Sequence, residues 1–211
     1  MDFYSLFPEL RAQRSNIEKA ISAVVGCHSA GGKIFLAGNG GSSSDCAHIV
    51  GELVKTFLRP RPVPSDFAER LAGQSSDDDL ARSLCGGIAA FDLTAQNAFI
   101  SACSNDISAE NVYAQQLYVY GRPNDVFIGI SASGSSENIV RAFRVARAAG
   151  IMGILLTGRD GGKCSALADI AVCAPASETY RIQEYHLPIY HYICAECERL
   201  IFGGNADEEN R

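Results

Sequence analysis

The stretch DVFIGISASGSSENIVRAFRVARAA, residues 125–149, decides the fold class. Its apolar start, Asp125 to Ile130, predicts a buried strand, and Ser131 to Ser136 form a loop of small residues. Glu137 to Ala149 then carries apolar residues at helical spacing, which predicts an amphipathic helix. A strand, a short loop and a helix in this order are typical of a parallel sheet covered by helices.

The same order occurs earlier in the chain and continues later. Lys33 to Ala37 predicts a strand, Gly38 to Gly41 a glycine turn, and Ser44 to Phe57 a helix. Two more apolar runs, Gly153 to Thr157 and Asp169 to Ala174, predict further strands. The alternation predicts an α/β fold, a parallel sheet with helices on both faces.

The ends of the chain and one internal segment complete this organisation. Residues 3–28, in an N-terminal segment ending near residue 30, predict one long amphipathic helix. A last helix is predicted from residue 178 to 202, and residues 203–211 form a polar tail. Residues 58–90 have the least regular pattern: Arg59–Pro64 is predicted to be extended, and Asp77–Asp79 to begin a helix. We interpret them as an insertion-like segment, of the kind that often belongs to a site or an interface.

Length and composition limit the functions that remain open. The chain has 211 residues, 47% of them hydrophobic and 20% charged, which predicts one folded domain. A net charge of −6 gives no general attraction to nucleic acid, and no apolar run approaches the length of a bilayer span. The eight cysteines include one C-x-x-C, Cys194 and Cys197, and predict reduced thiols. We expect a cytoplasmic protein with neither nucleic acid nor membrane as a partner.

The two strand–loop–helix units suggest anion binding. A strand that ends in small residues before a helix presents backbone N–H groups to an anion, and Ser131, Ser133 and Ser136 add hydroxyl donors. Neither loop has the G-K-[ST] or G-x-G-x-x-G pattern of a nucleotide site, so the loops favour a phosphorylated small molecule. A plain tight turn is the alternative for each loop.

Four polar side chains on two predicted helices could form a reactive centre. His48 and Glu52 are four residues apart and share a helix face, where they could move protons, hold a metal or be an ordinary surface pair. Gln183 and His191 are separated by about 12 Å along an ideal helix. They reach one ion only if the helix frays or bends near Pro188, or if they serve the site from different subunits.

Five motifs follow one another along the chain: Gly38–Ser42 with Asp45, His48 and Glu52; Asn105–Asp106; Gly129–Ser136; Leu156–Lys163; and Arg181–Glu184 with His186 and His191. Together they resemble the motifs of bacterial phosphoheptose isomerases, which are sugar isomerase (SIS) domain proteins. The likeness extends over nearly all of the chain outside residues 58–90.

This resemblance implies a single SIS domain over residues 1–211. Its fold would be a five-stranded parallel sheet between helix layers, a flavodoxin-like three-layer α/β/α architecture. It also implies a homotetramer with active sites between subunits, and isomerisation of sedoheptulose 7-phosphate to D-glycero-D-manno-heptose 7-phosphate through an enediol.

Roles for individual residues follow from the same resemblance. Glu52 would be the catalytic base and His191 its partner acid. His48, Glu52, Gln183 and His191 match the positions that bind one Zn²⁺ per subunit in family members that carry it. The residues expected to contact the substrate or its phosphate are Asn39, Gly40, Gly41, Ser42, Asp106, Ser131, Ser133, Ser136 and Gln183.

The sequence also departs from the family pattern. Thr56 stands where arginine is usual and Tyr180 where aspartate is usual, and Lys55 or an arginine of Arg59–Arg61 could replace the missing charge. Ala132 and Ser135 are further substitutions within the serine loop. These differences leave two alternatives open: an isomerase of another sugar phosphate, and a non-catalytic module that binds sugar phosphates or a protein.

Overall fold

The structure, a computed structural model, describes residues 2–74 and 79–203. Its centre is a five-stranded sheet in which every neighbouring pair is parallel and the strand order is β2-β1-β3-β4-β5. The strands are β1 (Ile34–Gly38), β2 (Ala90–Asp92), β3 (Val126–Ser131), β4 (Met152–Thr157) and β5 (Ile170–Cys173).

Helices connect the strands and cover them. The α-helices are α1 (Phe3–Leu6), α2 (Arg14–Ser29), α3 (Gly41–Val54), α4 (Ser65–Ala72), α5 (Asp79–Ser83), α6 (Asn97–Cys103), α7 (Val112–Tyr120), α8 (Glu137–Ala148), α9 (Gly162–Ser165) and α10 (Thr179–Phe202). Short helices of other types lie at Pro8–Gln13 (3₁₀), Ser104–Ser108 (π) and Ala109–Asn111 (3₁₀).

Alternate residues of each strand enter two separate cores. In β1, Ile34 and Leu36 pack with α2, α3 and α10 on one face, while Phe35 and Ala37 pack with α7 and α8 on the other. Side chains alternate between the faces of a strand, so a strand covered on both sides must be apolar throughout. The predicted α/β fold with helices on both faces is therefore confirmed.

The fifth strand, β2, is one that the residue pattern did not locate. It has only three residues and lies at the sheet edge, where Phe91 is half exposed. Its apolar pattern is too short to be distinguished from a turn. Helices α6 and α7 also lie in this part of the chain, for which the sequence analysis gave no element.

The single helix predicted over residues 3–28 is wrong. The structure divides this segment into α1, a 3₁₀ helix and α2. Phe7 has φ −125° and ψ 69°, outside the helical region, and Pro8 follows it. A proline disfavours helical geometry at the residue before it and lacks the N–H that would continue the helix, which explains the break.

Residues 58–90 contain two helices, α4 and α5. Helix α4, none of whose residues is buried, was not predicted. Helix α5 begins at Asp79, within the predicted helix start at residues 77–79, of which 77 and 78 lie outside the described residues. Helix α3 begins and ends three residues before the predicted 44–57. Its glycine- and serine-rich start is already helical, and Lys55 is extended, with φ −107° and ψ 170°.

Three smaller observations complete the fold. The predicted polar tail lies outside the described residues except for Gly203. Within residues 2–74 and 79–203, no helix combines the length and apolarity needed to cross a membrane. Cys194 and Cys197 are free thiols buried in the core of α10, where burial raises the pKa of Cys197 to about 12.

Candidate active site

The sheet topology places two loops beside one crevice. Strand β1 lies between β2 and β3, so the chain proceeds from β1 to one side and returns to the other. The carboxyl ends of two strands at such a reversal form a crevice where α/β proteins bind ligands. The loops there are Gly38–Gly41 after β1 and Ser131–Ser136 after β3.

A pair of amide side chains joins the two loops. Asn39 Nδ2 donates to Asn138 Oδ1 at 2.9 Å, and Asn138 Nδ2 donates to Asn39 Oδ1 at 2.9 Å. Tyr113 holds the same loop by donating to the carbonyl of Gly38 at 2.8 Å. Sequence reasoning missed Asn138, although an amide in the first turn of a helix after a serine loop is a recognisable polar signal.

Helix α3 begins at Gly41, which has no side chain, and this leaves room for the side chain of Gln183. Gly40, with φ +57°, turns the chain into the helix. A Cβ at Gly41 would lie 2.7 Å from Nε2 of Gln183, so the amide of Gln183 rests directly on this turn. Ser42, next in sequence, is buried. Gln183 therefore belongs to the crevice loop through α10.

The serines of the second loop have different surroundings. Ser131 is buried and its hydroxyl donates to Ser136 Oγ at 3.3 Å. Ser133 Oγ accepts the Ser135 N–H at 3.2 Å, and Ser135 Oγ accepts the Lys163 N–H at 3.2 Å. Ser135 thus ties the serine loop to the loop before α9. Ser131, Ser133 and Ser136 remain the predicted phosphate-binding group.

Three reactive side chains meet further along α3. His48 Nε2 lies 3.3 Å from Glu52 Oε1 and 3.3 Å from Nε2 of His191 on α10. Glu52 is 9% exposed, whereas the His48 side chain is 43% exposed, so the group is partly open to solvent. The shared helix face predicted for His48 and Glu52 is present, and α10 adds His191 to it. We call these three side chains the histidine–glutamate cluster.

The surroundings of this cluster influence its charge. Lys55 Nζ binds the second oxygen of Glu52, Oε2, at 3.1 Å. Burial, together with the neighbouring His48, lowers the pKa of His191 from its ordinary value. A neutral imidazole has one donor nitrogen and one acceptor nitrogen, so His191 can exchange a proton or bind a cation at neutral pH.

Arg61 is not available to a substrate, although the sequence left it as a replacement for the missing arginine. Its side chain is buried and donates to the backbone carbonyls of Leu53 at 2.7 Å and Glu52 at 2.9 Å. It also forms an ion pair with Glu198 at 2.7 Å. Arg61 therefore caps the end of α3, and Lys55 is the cation that reaches the Glu52 carboxylate.

Two predicted site residues lie apart from the cluster. Gln183 packs on Gly41, about 10 Å along α3 from His48, so within one chain it does not join the other three expected zinc ligands. Asp106 is exposed, and in the described part of the chain its hydrogen bond comes from its neighbour Asn105 at 2.8 Å. The loop end of α3 and Glu52 are separated by about 16 Å.

The cluster meets part of the requirements for zinc. Histidine nitrogens and carboxylate oxygens bind Zn²⁺ at about 2.0–2.2 Å, so two tetrahedral ligands lie roughly 3.3 Å apart. Both distances measured from His48 have this value. Among the described residues, however, no group of three or more His, Cys, Asp and Glu side chains is already arranged around a metal position. The donors fit zinc in type and pairwise spacing, but they do not form a complete shell.

His186, which the family motif includes, is a core residue. It is fully buried, its Nε2 lies 3.3 Å from the Thr157 carbonyl, and burial lowers its pKa to about 4. It is therefore neutral at neutral pH and supports the packing of α10 on β4.

Comparison with known proteins agrees with this fold and crevice. A sequence model of the SIS domain family matches residues 4–85 and 86–158, which together exceed half of the chain. The fold and the loops that surround the crevice thus define a SIS domain protein.

Relatives define the family more closely. The chain is 37% identical over 186 residues to a phosphoheptose isomerase of Aneurinibacillus thermoaerophilus, covering 88% of this chain and 82% of that protein. Phosphoheptose isomerases from Neisseria gonorrhoeae (TM-score 0.72, 30% identity) and Francisella tularensis (TM-score 0.73, 27% identity) have similar structures. Each alignment covers 88% of this chain and 86% of the other. The chain belongs to the phosphoheptose isomerase family, as its motifs predicted.

Proposed function

We propose that this protein converts sedoheptulose 7-phosphate into D-glycero-D-manno-heptose 7-phosphate. The histidine–glutamate cluster supports this most directly. An aldose–ketose isomerisation needs a base at the carbon that loses a proton and an acid near the carbonyl oxygen. The nearly buried carboxylate of Glu52 and the imidazole of His191, both within 3.3 Å of His48, supply these two groups.

The proton transfers follow from the chemistry of the substrate. Glu52 would remove a proton from C1 of the ketose, and His191 would give a proton to the C2 oxygen, leaving an enediol between C1 and C2. Return of the carbon proton to C2 and loss of the proton from the C1 oxygen would give the aldose, so no atom is gained or lost. Lys55, bound to Oε2, leaves Oε1 of Glu52 on the side of His48.

The phosphate would bind at the serine loop and the substrate would extend away from it. Binding of the phosphate, which is remote from C1 and C2, orients the sugar and contributes binding free energy without contacts to the reacting carbons. Within one chain, the loop end of α3 is about 16 Å from Glu52. This separation supports sites that combine the loop of one subunit with the histidine–glutamate cluster of another. The homotetramer that the family resemblance implies would provide such sites.

Zinc is a further part of the proposal. His48, Glu52 and His191 would hold the ion, and Gln183 would complete the shell from a neighbouring subunit. Bound there, Zn²⁺ would polarise the substrate carbonyl as a Lewis acid. The reduced cysteines and the family support a cytoplasmic location.

The test is turnover of sedoheptulose 7-phosphate, followed by chromatography of the product, in protein purified without chelator. We expect heptose 7-phosphate from the wild type and a loss of 10²- to 10⁴-fold in kcat for Glu52→Gln, because the amide cannot accept the carbon proton. Glu18→Gln is the matched control, since Glu18 is an exposed carboxylate paired with Arg14 on α2.

Three outcomes would contradict parts of the proposal. Full activity in Glu52→Gln would exclude Glu52 as the base. A folded protein that binds sedoheptulose 7-phosphate without converting it would favour another sugar phosphate or a binding role. Full activity in protein shown to be metal-free by elemental analysis would exclude a requirement for zinc.

A further inference from the structure

A buried tyrosine connects the histidine–glutamate cluster to a second carboxylate. Tyr190, adjacent to His191 on α10, is 2% exposed. Its hydroxyl oxygen lies 3.0 Å from His48 Nδ1, the ring nitrogen that faces away from Glu52. The same oxygen lies 3.4 Å from Asp45 Oδ1, one turn before His48 on α3. Asp45, Tyr190 and His48 therefore form a chain that ends at the histidine–glutamate cluster.

The available protons decide the direction of these hydrogen bonds. An ionised carboxylate can only accept, and Tyr190 has a single proton to give. Asp45 Oδ2 is buried and has no hydrogen-bond partner among the described residues. If Tyr190 donated to His48 instead, neither oxygen of Asp45 would receive a hydrogen bond in that part of the chain. An unsatisfied buried acceptor costs about 1–3 kcal/mol, so donation from Tyr190 to Asp45 is favoured.

Once Tyr190 donates to Asp45, its oxygen is left as an acceptor for His48. His48 Nδ1 must then carry the proton, and the lone pair of a neutral imidazole must lie on Nε2. That nitrogen is the one within 3.3 Å of Glu52 Oε1 and of His191 Nε2. We propose that Asp45 and Tyr190 are positioning residues that hold His48 with its proton on Nδ1 and its Nε2 lone pair directed toward Glu52 and His191.

This arrangement gives the histidine–glutamate cluster its chemical character. A lone pair on His48 Nε2 faces the carboxylate of Glu52, so two acceptors meet at 3.3 Å without a proton between them. Such a pair attracts a cation, whether a shared proton or a metal ion. The inference about the His48 tautomer stands on the structure alone, and only its kinetic consequence rests on the proposed isomerase function.

The decisive measurement is the protonation of His48, observed by long-range ¹H–¹⁵N NMR of metal-free protein labelled in histidine. The chain has four histidines, so His48→Gln assigns the signals by their disappearance. We expect the Nδ1–H tautomer in the wild type and a shift to the Nε2–H tautomer in Tyr190→Phe and Asp45→Ala. Tyr192→Phe is the matched control, because Tyr192 stacks on Phe3, away from His48. An Nε2–H tautomer in the wild type, or an unchanged one in Tyr190→Phe, would overturn the inference.

Zn²⁺ affinity and kinetics provide a second comparison. Competition against a chromophoric chelator should show Zn²⁺ binding about 10- to 100-fold weaker in Tyr190→Phe, the range typical for loss of a group that orients a ligand, and unchanged in Tyr192→Phe. In turnover, Tyr190→Phe should lower kcat by about 10-fold and leave KM nearly unchanged, since the tyrosine is buried and offers almost no surface to a sugar. If the wild type and Tyr190→Phe both bind Zn²⁺ and do so with equal affinity, the inference is overturned. A wild type that binds no Zn²⁺ would refute the zinc proposal, and the NMR result would still decide the tautomer.

Discussion

Two groups of charged side chains lie at the same end of α3, and they are built in opposite ways. In the Arg61–Glu198 pair both side chains are completely buried. Glu198 accepts the N–H groups of Phe57, Leu58 and Arg59 as well as the Arg61 guanidinium, and Arg61 also donates to Glu52 and Leu53. In the histidine–glutamate cluster, by contrast, His48 is 43% exposed and its Nε2 faces two other polar atoms at 3.3 Å.

This comparison distinguishes charged side chains that stabilise the fold from charged side chains that are available for reaction. A buried ion pair is tolerated when further hydrogen bonds satisfy both partners, and the Arg61–Glu198 pair meets that condition. The histidine–glutamate cluster brings acceptors together without a donor for each, which is unfavourable until a proton, a metal ion or a substrate arrives. The Arg61–Glu198 pair holds the backbone carbonyl of Glu52, whereas the histidine–glutamate cluster contains the carboxylate of the same residue.

The largest effect should come from breaking the satisfied pair. Arg61→Met leaves the Glu198 carboxylate buried and without its cation, so we expect a loss of about 3–5 kcal/mol in the free energy of unfolding, measured by urea denaturation. Glu52→Gln should change the free energy of unfolding by less than about 1 kcal/mol, because removing the carboxylate separates two hydrogen-bond acceptors, Glu52 Oε1 and His48 Nε2. Arg14→Met breaks an exposed pair and is the control for loss of a positive charge. Similar losses in Arg61→Met and Glu52→Gln would refute the distinction.

An intermediate effect is expected from pH, through a histidine that lies outside both groups. The pKa of buried His186 is about 4, against an ordinary value of 6.5. Between these values the unfolded chain binds a proton that the folded protein does not, so stability falls as pH falls from about 6.5 to about 4. At pH 5 the loss amounts to about 2 kcal/mol relative to pH 7. His186→Gln should therefore lose about 2 kcal/mol less stability between pH 7 and pH 5 than the wild type, measured by urea denaturation at both pH values. The same loss of stability in both proteins would contradict the lowered pKa of His186.

The smallest effect should come from the exposed cation beside Glu52. Lys55 contacts the Glu52 carboxylate at 3.1 Å, but its side chain is 61% exposed. Exposed pairs contribute less than about 1 kcal/mol, so Lys55→Met should barely change the free energy of unfolding. We expect a small decrease in kcat, since Oε2 of Glu52 loses the partner that fixes its orientation. A loss of stability comparable to that of Arg61→Met would show that Lys55 also has a structural role.

Much of this protein could be predicted from local patterns. The strands of the Gly38 and Ser131 units, the loops that follow them and the shared face of His48 and Glu52 depend on residues close in sequence, and the structure contains all of them. The predicted single N-terminal helix was wrong because one residue, Phe7 before Pro8, left the helical region. Strand β2 was missed because an edge strand of three residues has too little pattern.

The sequence by itself determined the α/β class, the two crevice loops and, through its ordered motifs, the family. These features rest on side-chain periodicity and backbone preferences, which act over a few residues. Only the tertiary structure decided that His191 meets His48, that Arg61 is buried against Glu198, and that Tyr190 connects Asp45 to His48. Each of these contacts joins residues far apart in the chain, and their distances depend on how α10 and the segment after α3 pack against α3. No local pattern encodes that packing.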